Sequence, residues 1–160
     1  MIKKIIILVL SLFITTFNQD YTYVDKEINI FKKIEIKKEK VETVIKTYHG
    51  NITAYGPDCV GCIGITASGY NVGHGNIYYQ DKEYGKIRIV AADKSLPFGT
   101  IIRIKDLKGF DKSVLAIVLD RGSAIGFNKT VYFDLLYRNE RETNTFGKQW
   151  ATFEVLRRGY

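Results

Sequence analysis

The body of this sequence predicts a mainly β fold in which six short strands close into a barrel accompanied by one short helix. Three observations carry that prediction. Eleven Tyr and nine Phe stand beside only two Pro and 14 Gly, a composition that suits strand packing. From about residue 48 onward, short β-branched and aromatic runs alternate with turn signals such as Asp106-Leu107-Lys108-Gly109. One stretch alone reads as a helical turn, and closure of six strands removes the exposed edges that make open sheets sticky.

Ahead of the body, Met1-Ile2-Lys3-Lys4 supplies positive charge, and Ile5 to Ile14 is apolar except for Ser11. A bilayer takes about 20 apolar residues to span, so this run is too short to cross and fits the apolar core of an export signal. Residues 1–17 are therefore expected to be a signal peptide or an uncleaved membrane anchor. Thr15-Thr16-Phe17-Asn18-Gln19 offers no A-x-A cleavage site, and both forms stay open. Either one places the remainder outside the cell, extracellular or in the wall. Residues 18–47 mix dense charge with isolated Ile and Val and contain no Gly or Pro. They read as a charged spacer. The barrel is expected over 48–160, with strands near 48–55, 87–93, 100–105, 113–119, 130–134 and 150–157, and a helix around 135–143.

The formal charge is +7, and residues 1–49 account for +3 of it through nine Lys and six acids. The positive field thus covers the whole chain and forms no single stripe. It favours a polyanion, and the secondary partner expected is an anionic wall polymer. No nucleic-acid-binding motif accompanies it, so a nucleic-acid role is set aside.

Three aspartates are the candidates for chemistry. Asp93 follows Ile89-Val90-Ala91-Ala92, Asp120 follows Ala116-Ile117-Val118-Leu119, and Asp134 sits within Tyr132-Phe133-Asp134-Leu135-Leu136. Burial opposes ionisation and a neighbouring carboxylate opposes it further, so clustered strand-borne acids can have one member held protonated near neutral pH. A protonated carboxyl is what a glycosidic oxygen requires of its leaving-group acid. The competing readings are turn capping, above all for Asp120 before Arg121-Gly122, and a hard-cation site. Asp81, Asp106 and Asp111 lie in polar turns and Glu140 and Glu142 near the helix; these five read as solvated surface charges. Cys59-Val60-Gly61-Cys62 is read first as a disulfide, with free thiols and a zinc site completed by His49 and His74 as alternatives. No cofactor is expected.

Four ordered segments carry a family resemblance: "ITAYGPDCVGCIGITASG" (52–69), "IVAADKSLPFGTIIRI" (89–104), "AIVLDRGSAIG" (116–126) and "YFDLLY" (132–137), with Phe146-Gly147 before a closing strand. The body resembles the three-aspartate "3D" domain, a double-psi β-barrel found in stationary-phase-survival proteins and related to the catalytic barrel of MltA-type lytic transglycosylases. The resemblance implies cleavage of peptidoglycan glycan strands between N-acetylmuramic acid and N-acetylglucosamine, without water and with formation of a 1,6-anhydro ring. It implies Asp134 as the acid/base, Asp120 as the charge that poises it, and Asp93 as the residue ordering the adjoining loop or the substrate. Thr53, Tyr55 and Thr66 are expected to turn hydroxyls toward a sugar cleft, and Gly122 and Ser123 to form a small turn beside it. Gly122-Ser123 departs from the Gly-Gly usual in the family. The reading from another class is an expansin-like module that binds and loosens wall polysaccharide without cleaving it; a third is a metal-stabilised structural domain.

Overall fold

The computed structural model describes Lys26 and residues 42–160, the latter forming one unit, Glu42–Tyr160. The expected signal segment and most of the spacer lie outside the described residues, and β1 begins two residues before the expected start of the barrel. Seven strands follow in order: β1 (Lys46–Tyr55), β2 (Tyr78–Asp81), β3 (Gly85–Ala92), β4 (Ile101–Lys105), β5 (Val114–Asp120), β6 (Val131–Leu136) and β7 (Gln149–Arg157). A single turn of 3-10 helix covers Gly73–Gly75, and one short α-helix, α1, covers Glu140–Thr143.

The strands run β3-β5-β4-β7-β1-β6, and β6 pairs back onto β3, so the six-stranded barrel closes on itself. The β3–β5 and β1–β6 pairs are parallel and the other four antiparallel. β2 hangs on the outer edge of β3 and belongs to no barrel seam. It escapes the sequence pattern because its four residues, Tyr-Tyr-Gln-Asp, lead directly into the charged Lys82-Glu83-Tyr84 turn.

Alternation along each strand divides the apolar residues into two cores. The interior takes Ile52, Val90, Ala92, Ile102, Ile104, Val118, Phe133, Leu135, Phe153 and Val155, among others. The second core forms on the outside, where Ile87, Ile89, Ile117, Leu119, Leu136 and Leu156 are covered by Val72 and Ile77 of the long β1–β2 connection. That connection therefore serves as a roof over the outer face of β3, β5 and β6.

Two expectations are corrected. The helix expected over 135–143 is strand up to Leu136, because Leu135 and Leu136 are wholly buried on opposite faces of β6. Helix begins only after Asn139, whose side chain accepts from the Glu142 N–H as an N-cap. Asp81, expected in solvent, is only 6% exposed. It accepts from Arg157 at 2.5 and 3.1 Å and from the Glu83 and Tyr84 amides, and the Arg157 hydrogen bond pulls its carboxyl down to about 2.

One glycine fixes how the roof is anchored. A Cβ on Gly56 would lie 2.2 Å from the Glu140 nitrogen and 2.4 Å from the Asn139 carbonyl carbon, both backbone. Gly56→Ala is therefore expected to part the roof from α1 and to lower the melting temperature by several degrees, a cost of about 1–3 kcal/mol. Thermal denaturation followed by circular dichroism checks this; an unchanged transition would refute the close approach.

Candidate active site

On β6, Phe133 and Leu135 point into the barrel, so Asp134 between them points out. Its neighbours on both sides are set by register. Thr53 of β1 pairs with Asp134, and Asp134 pairs with Ala91 of β3. Ala91 in turn pairs with Asp120 of β5. Thr53, Asp134, Ala91 and Asp120 thus form one row across four adjacent strands on the outer face. At the ordinary strand spacing the two aspartate Cα atoms stand roughly 10 Å apart, with only the Ala91 methyl between them.

Asp120 reaches this row through a bulge. Strict alternation from Val118, which points inward, would aim Asp120 into the apolar interior. The β3–β5 register shifts between Val90 and Ala91, so that Leu119 is the extra residue and Asp120 turns outward beside Ala91. The bulge converts a position that would bury a charge into one that serves a cleft.

The two carboxylates have different surroundings. Asp120 accepts the Tyr55 hydroxyl at 2.7 Å on one oxygen. Its other oxygen takes the amides of Ala67 and Arg121, each at 2.8 Å. Among the described residues, Asp134 accepts only the Thr53 hydroxyl, at 2.9 Å on Oδ1. Burial pushes the Asp134 carboxyl up from 3.8 to about 6, opposed by the Thr53 hydrogen bond and helped by the negative charges of Glu140 and Asp120. Burial and the adjacent Asp120 push the Tyr55 phenol far above its usual range, so it remains a donor at every ordinary pH. Asp134 is the group poised to exchange a proton, and Asp120 is the fixed acceptor.

These groups open into a cavity of about 440 Å³. Tyr55, Ala91, Asp120, Arg121, Gly122 and Asp134 line one side, and the roof, from Pro57 through Cys59, Cys62, Ile63 and Ile65 to Ala67, lines the other. Cys59 and Cys62 form a disulfide, and the zinc alternative, which needs their thiolates, has no geometric counterpart among the described residues. Glu140, expected in solvent, is exposed, and it also accepts the Gly56 amide at 2.9 Å, while its own amide donates to Asp58 at 2.6 Å. It holds the roof and adds to the field on Asp134.

The remaining expected residues are placed differently. Asp93 lies past the end of β3 and outside the row. It accepts the Ser95 amide at 2.8 Å, and bonds from Ser95 and the Phe127 amide hold its carboxyl below the ordinary range. It orders the loop and stays ionised. Thr66 is 4% exposed and faces no sugar cleft: its oxygen meets Ser68 Oγ at 3.0 Å and accepts the Tyr70 amide at 3.1 Å, closing a turn within the roof. Thr53 acts through Asp134 and does not itself line the cavity. Gly122 lines it, and Ser123 next to it is exposed to solvent outside it. Sequence reasoning missed Ala91 and Arg121. The Arg121 guanidinium clamps the carbonyls of Ala92 and Leu96 at 3.3 and 2.8 Å and stacks on Phe98; its place directly after Asp120 was the available signal.

The raised carboxyl has a consequence for stability. The folded chain holds the Asp134 proton to about pH 6, and the unfolded chain releases it near 3.8. Folding is therefore favoured by that proton at low pH, and this contribution is lost as pH rises from about 4 to about 6. The loss amounts to about 3 kcal/mol at most. Asp134→Asn, which cannot ionise, is expected to melt at a higher temperature than the native chain at pH 8 and at the same temperature near pH 4. Equal melting at both values would place Asp134 in water.

No family model matches the chain, and no curated protein matches it. Among solved structures, the crystal structure of MltA from E. coli aligns with 59% of this chain and 28% of that one, at 21% identity and a TM-score of 0.40. The chain thus spans little more than a quarter of that protein.

Proposed function

We propose that this protein is an exported lytic transglycosylase that cuts peptidoglycan glycan strands with formation of 1,6-anhydro-N-acetylmuramic acid. The observation that carries the reading is the pairing of unlike carboxylates across Ala91: Asp134 half-buried with its carboxyl raised to about 6, Asp120 accepting from three donors. The ordered motifs of the three-aspartate domain support the same reading.

In this mechanism, Asp134 gives its proton to the glycosidic oxygen as the bond from the muramyl C1 to that oxygen breaks. Thr53 occupies Oδ1, which leaves Oδ2 as the oxygen that presents the proton. Positive charge developing at C1 faces the Asp120 carboxylate, whose orientation is locked by Tyr55 and two amides. The muramyl 6-hydroxyl then attacks C1, and its proton passes to the Asp134 carboxylate. The starting protonation state is restored, and no second carboxylate is required to activate water. Preorganisation is provided by the row: no side chain has to move to bring the acid and the anion to one face. Arg121 and Glu140 are positioning residues that hold the two ends of the cleft. The substrate is the glycan strand, encountered outside the membrane.

The test is mass spectrometry of the soluble products released from purified peptidoglycan. Fragments ending in anhydromuramic acid are expected from the native chain. Binding to the polymer with no such ends, by a chain whose circular dichroism is intact, would favour the non-catalytic wall-loosening module.

A further inference from the structure

A second concavity, larger than the catalytic cleft at about 660 Å³, lies beyond α1. Its lining is aromatic: Tyr137 and the buried Phe146 meet at 5.5 Å between ring centroids, and Phe110 joins them. Trp150, the only tryptophan in the chain, stands at its edge and is 65% exposed. Lys108 and Lys148 rise on the two rims, and neither forms an ion pair among the described residues. Asp106 also lines the groove, and its Oδ2 is occupied by the Thr152 hydroxyl at 2.9 Å. Gln149 ties the rims together, accepting the Lys108 amide at 2.9 Å and donating to the Phe146 carbonyl at 3.0 Å. The groove is therefore braced, open, aromatic in its lining and cationic at its margins.

Nothing in the packing of the barrel calls for an exposed indole there. An exposed aromatic patch rimmed by charge marks a binding surface, and flat rings suit the apolar faces of sugars while the free ammonium groups suit carboxylates.

The groove also adjoins the cleft. Tyr55, which lines the cleft, accepts through its carbonyl the amide of Tyr137, which lines the groove, at 2.8 Å. On the flank, α1 begins at Glu140, hydrogen-bonded to the cleft roof, and ends next to Thr145 and Phe146 of the groove. Its four residues span about 6 Å. Both cavities are thus lined by residues joined across the β1–β6 seam.

We propose that the groove is a second glycan subsite that holds a carboxylate-bearing stretch of the same strand, with Trp150 as the stacking platform and Lys108 and Lys148 as the counter-charges. This rests on the glycan-cleaving reading of the cleft, and it assigns to the chain a grip on the polymer separate from the reacting sugars.

The test uses the full chain carrying Asp134→Asn to suppress turnover, and peptide-free glycan strands in which each muramic acid bears its lactyl carboxylate. Titration is expected to change the fluorescence of the sole tryptophan and to weaken as salt is raised. By calorimetry, adding Trp150→Ala, or Lys108→Ala together with Lys148→Ala, is expected to weaken binding by about tenfold or more, with the melting temperature unchanged. A neutral chitin oligosaccharide of equal length is expected to bind about tenfold more weakly than the acidic strand. Silent fluorescence, or variants that bind as tightly as their parent, would overturn the proposal. So would a poly(glycerol phosphate) that binds more tightly than the glycan, since the occupant would then be another polymer. Loss of cleavage by the native chain with groove binding intact would remove the catalytic reading and leave the subsite in place.

Discussion

Asp134→Asn is expected to lower the rate of anhydromuramyl release by a factor of about 10² to 10⁴ while leaving the fold and polymer binding intact. The reason lies in the asymmetry of the row. Asp120 has both oxygens engaged by Tyr55, Ala67 and Arg121, so most of its lone-pair sites are already taken. Among the described residues Asp134 keeps one oxygen clear, and it holds its proton to about pH 6. Asn retains the shape and accepts the Thr53 hydroxyl, but it neither gives nor regains a proton during ring closure. Turnover by the native chain is accordingly expected to fall as pH climbs above about 6, because the acid form is consumed in that range. A variant whose rate stays within twofold of the native chain would assign the proton transfer elsewhere.

The second large effect is on stability. Phe133 is wholly buried, tilted against Phe153 at 4.3 Å and edge-on to Phe127 at 6.1 Å. Phe133→Ala opens a cavity at the centre of the barrel and is expected to cost about 3–5 kcal/mol. A domain of this size has about 5–15 kcal/mol in total, so the variant should unfold at a denaturant concentration well below the native midpoint. Urea denaturation measures it directly, and a midpoint unchanged from the native chain would contradict the packing.

The closed barrel was legible because β-branched and aromatic runs alternate inward and outward with turns between them. The strands over 87–93, 100–105, 113–119 and 150–157 lie within a residue or two of β3, β4, β5 and β7. β2 was not legible, because its four residues pair only with β3 and carry no periodic apolar signal. Asp120 and Asp134 could be singled out as charges in apolar runs. Their common face could not, since it follows from the bulge at Leu119 and from Ala91 standing between them, and both are properties of pairing between distant strands. Thr66 belongs to the right segment, but a hydroxyl pattern does not reveal whether the oxygen meets a ligand or closes its own turn. Glu140 is exposed, as its place beside the helix suggested, but its bond from the Gly56 amide, 84 positions away, left no local signal.

The aspartates are mounted on the outside of the barrel wall, while Phe133, Phe153 and their companions fill the inside. On the proposed mechanism, heat tolerance and reactivity reside in two separate sets of side chains that share only a backbone. Volume-matched swaps within the lumen offer a route to a hardier scaffold whose reagent groups keep their posture.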